Sequence, residues 1–353
     1  MTARIWPPTP ANLRHATARL RDGQVIGIPT ETVYGLAGNA LDPTALARIF
    51  AAKQRPTFDP LIVHVCLDLS RPRLPQLVAL QLVDATLLSD LAIIRIENLL
   101  LHYWPGPLTL VLPKSPRVPD LATAGLSTVA VRMPAHDVAL KLLSECGFPL
   151  AAPSANRFGH ISPTCAADVV AELGEQIEGV LDGGPCEIGV ESTVLAVDPT
   201  GRVHLLRPGG TPLDVIETLL QIKISPTATA PNDILPQSPG QLTNHYAPHK
   251  PMILLPDLIE NLTVDRLKSL LPERQGLGLL RLQPGPTWPL SDTLIAEEVL
   301  AAAGDFPRAA QRLFACLRAL DASHAQLLVA EPCLAIDGLG YAIGDRLRRA
   351  AVK

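Results

Sequence analysis

Residues 28–65, IPTETVYGLAGNALDPTALARIFAAKQRPTFDPLIVHV, form the stretch that decides the fold. The apolar run 25–28 predicts a strand, and the polar residues Thr30, Glu31 and Thr32 follow it. An Asp-Pro pair then begins a helix with apolar residues at helical spacing, and the apolar run behind it predicts a second strand. Strand, helix and strand in this order predict an α/β domain, with polar side chains at a strand end where binding sites commonly form.

Two basic residues, Lys53 and Arg55, end the predicted helix and begin the following loop. Their spacing allows an ammonium and a guanidinium to reach one anionic ligand from a single backbone segment. The alternative is a solvated basic helix end, which the helix dipole favours. His64 lies in the apolar second strand, where a histidine is either a buried core residue or a ligand group.

Composition limits the possible functions. With 353 residues and 47% hydrophobic content, the chain can bury a large core and form two domains. Its net charge of −4 argues against stable DNA binding, so any RNA contact must be local. The six cysteines form no CxxC pair and no signal peptide is evident, which indicates reduced thiols in the cytoplasm. The most apolar stretch, 87–101, contains three charged residues, so no membrane span is expected.

Short apolar runs alternate with helical patterns up to about residue 207, which predicts a mixed sheet. The predicted strands of this part are 25–28, 61–65, 108–112, 129–132, 150–152, 179–181, 192–197 and 203–206. A helix at 213–220 is followed by a proline-rich stretch typical of a linker. Strands at 252–255, 277–282 and 327–329 then predict a smaller α/β domain. The predicted domains are 10–211 and 250–353, with a linker at 212–249.

Several polar residues stand at the ends of these strands. Arg132 ends an apolar strand, and its charge requires an anion, either a structural Asp or Glu or a ligand carboxylate or phosphate. Ser154 and Asn156 follow another strand, and Ser162 precedes a predicted helix as either its N-cap or a ligand group. Arg207 ends a further strand. These positions suit a phosphate or ribose.

The histidines after the linker do not predict a metal site. His245 and His249 are four residues apart, but Pro248 breaks any helix that would align them. No metal-binding residues are therefore predicted in this chain.

Nine motifs occur in one order over almost all of the first domain: PTETVYGLAGNA, KQRP, PLIVHV, WPGPLTLVL, TVAVRMP, APSAN, SPT, GVEST and LLRPG. Together with SPGQLTNHYAP and GLGYAIGDRLRRAA further on, the set closely resembles the long, two-domain form of the YrdC-like threonylcarbamoyl-AMP synthase family. The resemblance implies a YrdC-like twisted mixed sheet with helices, a proline-rich linker and a smaller Rossmann-like α/β domain. Because no GxGxxG turn is present, a dinucleotide site is not expected there.

The resemblance also implies a reaction. L-Threonine, bicarbonate or CO2, and ATP become threonylcarbamoyl-adenylate and pyrophosphate, a nucleotidyl transfer. The adenylate is then passed to a tRNA threonylcarbamoyl-transfer complex, which modifies the adenosine next to the anticodon. Mg²⁺ is expected with the triphosphate, held by phosphate and water rather than by a protein cage.

The family pattern assigns residues to both substrates. Those implied for L-threonine are Thr30, His64, Arg132, Ala152 and Ser192, with Arg132 on the carboxylate. Those implied for ATP are Lys53, Arg55, Asp59, Thr128, Ser154, Asn156, Ser162, Arg207 and Tyr246. Lys53 and Arg55 are also the implied catalytic residues, and Tyr246 is expected to close over the nucleotide as part of a mobile lid.

The chain departs from the family pattern at three places. Asp59 stands where the family commonly has Asn or a basic residue, and its carboxylate would repel a triphosphate unless it faces away or helps to hold Mg²⁺. The segment 84–102 is longer and more apolar than the short helix expected there, and is a possible partner surface. Residues 241–244 replace a basic and aromatic run of some relatives.

Other classes of function remain open on the sequence. A non-catalytic module could bind tRNA or rRNA in the same cleft, although the chain has only 30 basic residues against 34 acidic ones. A related maturation enzyme for metal centres would need zinc-finger-like cysteines that are missing. A paralogue that binds ATP without turnover is a third possibility. The second domain is expected to be regulatory or to anchor the lid.

Overall fold

The computed structural model describes residues 3–224, 245–271 and 276–351, which form two compact units. The first unit comprises residues 3–158, 163–187 and 191–224 of the described chain. The second comprises its remaining residues, including the short segments 159–162 and 188–190. The predicted linker stretch 225–240 lies outside the described residues.

The first unit is built on one mixed sheet. Its strands are β1 (Arg4–Trp6), β2 (Ile26–Ile28), β3 (Gly35–Asn39), β4 (Ile62–His64), β5 (Leu108–Pro113), β6 (Thr128–Arg132), β7 (Leu150–Ala151), β8 (Gly179–Leu181), β9 (Thr193–Val197) and β10 (Val203–Arg207). In the described residues they are ordered β1-β8-β2-β3-β7-β4-β6-β5-β9-β10. The β4–β6 pair is parallel, whereas β7 runs antiparallel to both β3 and β4. The prediction of a mixed α/β sheet is confirmed.

Helices pack around this sheet. They are α1 (Pro10–Arg21), α2 (Pro43–Lys53), α3 (Arg73–Ala79), α4 (Asp90–Tyr103), α5 (Asp120–Thr123), α6 (Asp137–Cys146), α7 (Ala166–Leu173) and α8 (Leu213–Leu220), with a short 3-10 helix at Ala85–Leu87. α2 begins where the sequence predicts, because the Asp42 side chain accepts a hydrogen bond from the Thr44 N–H and Pro43 occupies the first turn. It ends at Gln54, whose φ of 52° turns the chain towards the loop before β4.

Two strands of this unit, β1 and β3, were not predicted from the sequence. β3 reads GLAGN, and glycine is uncommon in strands, so its strand propensity is low. The glycines allow close packing instead, since a Cβ on Gly38 would lie 3.1 Å from Ile49 Cδ1 and one on Gly35 would lie 3.1 Å from Ala152 Cβ. β3 therefore places α2 and the segment after β7 close to one another.

One apolar core of this unit lies between the sheet and the helices α1 and α6. Ile26 and Ile28 of β2 pack in one buried cluster with Leu20 of α1 and Leu142 of α6. All four side chains are completely buried. Because such a core is close-packed, the strand ends that carry the polar residues are held in fixed positions.

The second unit has a parallel sheet, as expected for the smaller Rossmann-like domain predicted from the sequence. Its strands β11 (Met252–Leu254), β12 (Leu277–Arg281), β13 (Leu294–Val299) and β14 (Leu327–Ala330) are ordered β11-β14-β12-β13 in the described residues. They are accompanied by α9 (Val264–Leu270), α10 (Phe306–Ala322) and α11 (Gly338–Ala350), with short 3-10 helices at Ile259–Asn261 and Ser291–Thr293. The edge strand β13 was not predicted. Throughout the described ranges, no helix is long and apolar enough to cross a membrane.

Candidate functional site

Arg132 stands at the end of β6 with only 4% of its surface exposed. Its Nη1 donates to Thr32 Oγ1 at 2.9 Å, and its Nε donates to the Gly106 carbonyl at 3.2 Å. Its Nη2 lies 2.7 Å from Glu31 Oε1, and Glu31 is equally buried. The chain itself thus supplies the anion that a buried arginine requires, and the guanidinium retains N–H groups beyond these contacts.

The turn after β2 holds Glu31 in place. Thr30 Oγ1 donates to the Val33 carbonyl at 2.7 Å and accepts from the backbone N–H of Thr32 and Val33. The hydroxyls of Thr30 and Thr32 are 2.9 Å apart. Local hydrogen bonds of this kind fix a turn without a helix or strand partner. We call Thr30, Glu31, Thr32, His64 and Arg132 the Arg132 cluster.

His64 ends β4 and pairs in register with Arg132 of the parallel strand β6. It is 2% exposed, and burial, followed by the charge of Arg132, lowers its pKa to about 3. His64 is therefore a neutral imidazole at physiological pH, able to donate or accept a hydrogen bond but carrying no charge.

Because the pKa of His64 is lowered in the folded protein, we expect the free energy of unfolding to decrease at acidic pH. Its folded pKa of about 3 lies below the reference value of 6.5, so its contribution is complete above pH 6.5 and is lost as the pH falls towards 3. We expect the free energy of unfolding, measured in urea between pH 7.5 and 4, to fall more steeply for the native chain than for a His64→Gln variant. A difference between the two proteins that does not change with pH would contradict this expectation.

Lys53, the last residue of α2, is 1% exposed, so the alternative of a solvated helix end is wrong for it. Its Nζ donates to the carbonyls of Ser154 and Asn156, both at 2.5 Å. Burial, reinforced by the neighbouring charge of Arg55, holds the pKa of Lys53 well below its usual value. The side chain therefore fixes the backbone of the segment that carries two predicted ATP ligands.

Arg55 is also buried, and its Nη2 lies 2.8 Å from Asp59 Oδ2. It donates to the backbone carbonyls of Pro60 at 2.8 Å and of Asp59 at 3.2 Å. Burial raises the pKa of Asp59, while Arg55, Lys53 and Arg207 all act in the opposite direction. Lys53, Arg55, Asp59 and Arg207 therefore interact electrostatically. We call these four residues the Lys53 cluster. The Asp59 carboxylate is therefore paired with Arg55 of the same chain.

Arg207 links the Lys53 cluster to Ser192. Its Nη2 donates to the Ser192 carbonyl at 2.9 Å and to Ser192 Oγ at 3.1 Å. Ser192 Oγ also lies 2.7 Å from Thr109 Oγ1 of β5, a residue that was not among the predicted ligands. Gly209 allows this arrangement, because a Cβ there would collide with the backbone of Glu191 and Ser192.

The remaining predicted residues of the first unit lie in β6 and in the segment that follows β7. Ala152 follows β7, and its N–H donates to the Ile62 carbonyl at 3.0 Å. Ser154 forms an antiparallel bridge with Gly35. Thr128 is the half-buried first residue of β6, so it lies roughly 13 Å along the strand from Arg132. Thr128, predicted for ATP, and Arg132, predicted for threonine, thus lie at opposite ends of β6.

Ser162 and Tyr246 belong to the second unit. Ser162 is completely buried but does not cap α7, whose N-cap is Cys165, so that alternative is wrong. The helix begins after the SPT run because the Asp168 carboxylate accepts a hydrogen bond from the Cys165 N–H at 3.3 Å.

Tyr246 is completely buried inside the second unit. Its ring stacks on Phe314 with centroids 5.5 Å apart, and the Arg346 guanidinium lies 5.3 Å from its centroid. The backbone of Tyr246 has a φ of 68°, which is uncommon outside glycine. These contacts fix the residue in one conformation within this unit, and its role against ATP stays a prediction.

The pairing of Glu31 with Arg132 was not predicted. The sequence indicates a carboxylate at one strand end and a buried arginine that needs an anion at another, but no local pattern joins positions so far apart. Such a pair could be found only by asking which buried acid satisfies a predicted buried arginine.

Comparison with known proteins agrees with this fold. The family model Sua5_yciO_yrdC, described as "Telomere recombination", matches residues 18–209, and the model of the threonylcarbamoyl-AMP synthase C-terminal domain matches residues 212–352. The chain therefore belongs to the Sua5/YciO/YrdC family. Because it matches both models, it has the long, two-domain form, as the sequence motifs predicted.

The relatives span almost the whole chain. Threonylcarbamoyl-AMP synthase of Pyrococcus abyssi is 38% identical over 96% of this chain and 94% of its own length. The enzyme of that name from Bacillus subtilis is also 38% identical, over 96% and 92%. The crystal structure of P. abyssi Sua5 complexed with L-threonine superposes with a TM-score of 0.83 at 37% identity, covering 97% of this chain and 94% of that chain.

Proposed function

We propose that this chain is a threonylcarbamoyl-AMP synthase, which forms threonylcarbamoyl-adenylate and pyrophosphate from L-threonine, bicarbonate or CO2, and ATP. The proposal is supported by relatives of that name whose similarity extends through both domains. L-Threonine is the amino acid bound in the P. abyssi structure, which is similar to this chain over nearly its full length.

One feature of the structure carries the proposal most directly. Lys53 at the end of α2, Arg55 in the next loop and Arg207 at the end of β10 all interact electrostatically with the single carboxylate of Asp59. Buried basic groups brought together from three segments suit a polyanion. A triphosphate placed beside Lys53 would favour its charged form and so offset the effect of burial on its pKa.

The reaction requires mainly positioning and neutralisation of charge. The amino group of threonine becomes a carbamate, a carbamate oxygen attacks the α-phosphorus of ATP, and pyrophosphate leaves. Because both reacting partners are anions, fixed cations that stabilise the leaving group lower the barrier most. In this proposal Lys53 and Arg55 have that role.

The other predicted ligands keep their proposed roles. Threonine lies against Thr30, His64, Arg132, Ala152 and Ser192. ATP lies against Asp59, Thr128, Ser154, Asn156, Ser162, Arg207 and Tyr246. Tyr246 belongs to the segment after the linker, and its packing in the second unit supports a role of that unit in anchoring the segment.

Mg²⁺ would accompany the triphosphate. Within the described ranges, no group of three or more His, Cys, Asp and Glu side chains could hold a metal ion. Asp59 is buried with both carboxylate oxygens outside hydrogen-bond geometry to any donor of the described residues, so one carboxylate could contact the ion. The residues fit a metal held by phosphate, water and at most this carboxylate. Its contribution would be to neutralise phosphate charge.

The product has a defined destination in this proposal. Threonylcarbamoyl-adenylate is passed to a tRNA threonylcarbamoyl-transfer complex in the cytoplasm, which modifies the adenosine next to the anticodon.

The test is pyrophosphate release by the full chain with ATP and Mg²⁺, omitting threonine or bicarbonate in turn and replacing L-threonine by L-serine. We expect release to require both co-substrates and to favour threonine. Well-folded protein that releases no pyrophosphate in response to threonine would instead support a non-catalytic RNA-binding module or an inactive paralogue.

Removing the charge of Asp59 should strengthen ATP binding. An Asp59→Asn variant keeps the size of the side chain beside Arg55 but removes the carboxylate charge beside the triphosphate, so we expect the KM for ATP to fall by about 3–10-fold. Asp120→Asn is the control, because the Asp120 side chain is 83% exposed. A rise in the KM for ATP would show that Asp59 helps to hold the metal ion.

A further inference from the structure

Glu31 is a buried acid with unused bonding capacity. It is 3% exposed, and neither carboxylate oxygen has a donor in hydrogen-bond geometry among the described residues, although Oε1 lies 2.7 Å from Arg132 Nη2. Buried carboxylates are normally satisfied by several donors, since each oxygen can accept more than one hydrogen bond. The Arg132 contact alone leaves room for a cationic donor.

The Glu31–Arg132 pair combines one negative and one positive group in a single buried place. A ligand whose only charged group is a carboxylate would be attracted by Arg132 but repelled by the neighbouring Glu31. A zwitterion can match both groups, with its carboxylate on the guanidinium and its ammonium on the acid. The turn that fixes Thr30 and Thr32 also fixes Glu31, so the arrangement exists before a ligand arrives.

We propose that Glu31 is the binding site for the α-ammonium group of the amino-acid substrate and the acceptor of its proton. This rests on the proposed function, in which threonine is N-carboxylated. An ammonium has no free electron pair, so it must lose a proton first. The proton passes to the Glu31 carboxylate, the nitrogen lone pair forms the N–C bond with CO2, and a second proton leaves to solvent as the carbamate forms.

The neighbours of Glu31 suit this role. In the described part of the chain, Arg132 of β6 contacts it and Cys186, in the loop after β8, interacts with it electrostatically. Burial raises the pKa of the Cys186 thiol, so that group stays neutral. His64 is neutral as well. Among these neighbouring groups, Glu31 is therefore the one that can accept a proton from the ammonium group.

The experiment compares the full-length native chain with Glu31→Gln, which keeps the size of the side chain but removes its charge. Calorimetry without ATP measures binding of L-threonine and of 2,3-dihydroxybutanoate, in which a hydroxyl replaces the ammonium. We expect Glu31→Gln to bind threonine about 30–100-fold more weakly while its affinity for the hydroxy acid is unchanged or higher. Glu31→Asp should retain part of the affinity for threonine. The control Glu145→Gln removes an acid at an exposed position and should bind threonine as the native chain does.

A pH series separates this role from a structural one. We expect pyrophosphate release by Glu31→Gln to recover about tenfold per pH unit up to the pKa of the free amine, because solvent then removes the proton. If Glu31→Gln binds threonine as the native chain does, the role of Glu31 is overturned while the synthase proposal stands. If the native chain binds no threonine, both are overturned.

Discussion

An Arg132→Ala variant should lose threonine-dependent pyrophosphate release by about 100–1000-fold. In the proposed function Arg132 holds the substrate carboxylate, and in the structure it contacts Thr32, Gly106 and Glu31. Its removal also leaves Glu31 as a buried charge without a counter-ion. Breaking such a pair costs about 3–5 kcal/mol of stability, so the melting temperature should fall as well.

The double variant Arg132→Ala/Glu31→Gln separates these two effects. It contains no orphaned carboxylate, so most of the lost stability should return, whereas threonine-dependent release should not. Recovery of activity together with stability would mean that Arg132 has only a structural role with Glu31. That was the alternative the sequence left open.

Replacing Lys53 by methionine should reduce pyrophosphate release by about 100–1000-fold and destabilise the first unit by about 2–5 kcal/mol. Methionine has similar length but cannot donate to the carbonyls of Ser154 and Asn156, which then lose these hydrogen bonds in a buried place. The segment between them is expected to shift, and the cation proposed to lie beside the triphosphate is lost.

The control for this change is Lys223→Met, because the Lys223 side chain is 93% exposed and its pair with Glu217 is a surface contact. We expect its activity and urea midpoint to equal those of the native chain. Normal turnover by a well-folded Lys53→Met variant would remove Lys53 from the catalytic residues and leave it as an internal support for the segment after β7.

Much of the fold could be predicted from local patterns. Strands such as β5 and β6 are apolar and rich in β-branched residues, so they were predicted almost to their observed ends. β3 was missed because its glycines serve packing between α2 and the chain after β7, a tertiary requirement that no local pattern reveals. The edge strand β13 was missed because its residues are only partly buried.

The sequence predicted several residues of the candidate site but not which charged residues pair with one another. A basic helix end identified Lys53 and Arg55, a strand end identified Arg132, and the structure places all three in buried positions. The sequence could not show that Asp59 faces Arg55 or that Glu31 faces Arg132, because burial and distance decide which charges are neutralised. Those pairings determine which of the basic groups remain available to a ligand.

The most direct test of the proposed synthase activity is whether carbon from bicarbonate is incorporated into the nucleotide product. The full chain is incubated with ¹³C-bicarbonate, L-threonine, ATP and Mg²⁺, and the nucleotide products are analysed at once by mass spectrometry. We predict an AMP adduct whose mass includes threonine and one labelled carbonyl carbon, absent when threonine is omitted. Release of AMP or ADP without a labelled adduct, from protein that binds both substrates, would contradict the assignment as a threonylcarbamoyl-AMP synthase.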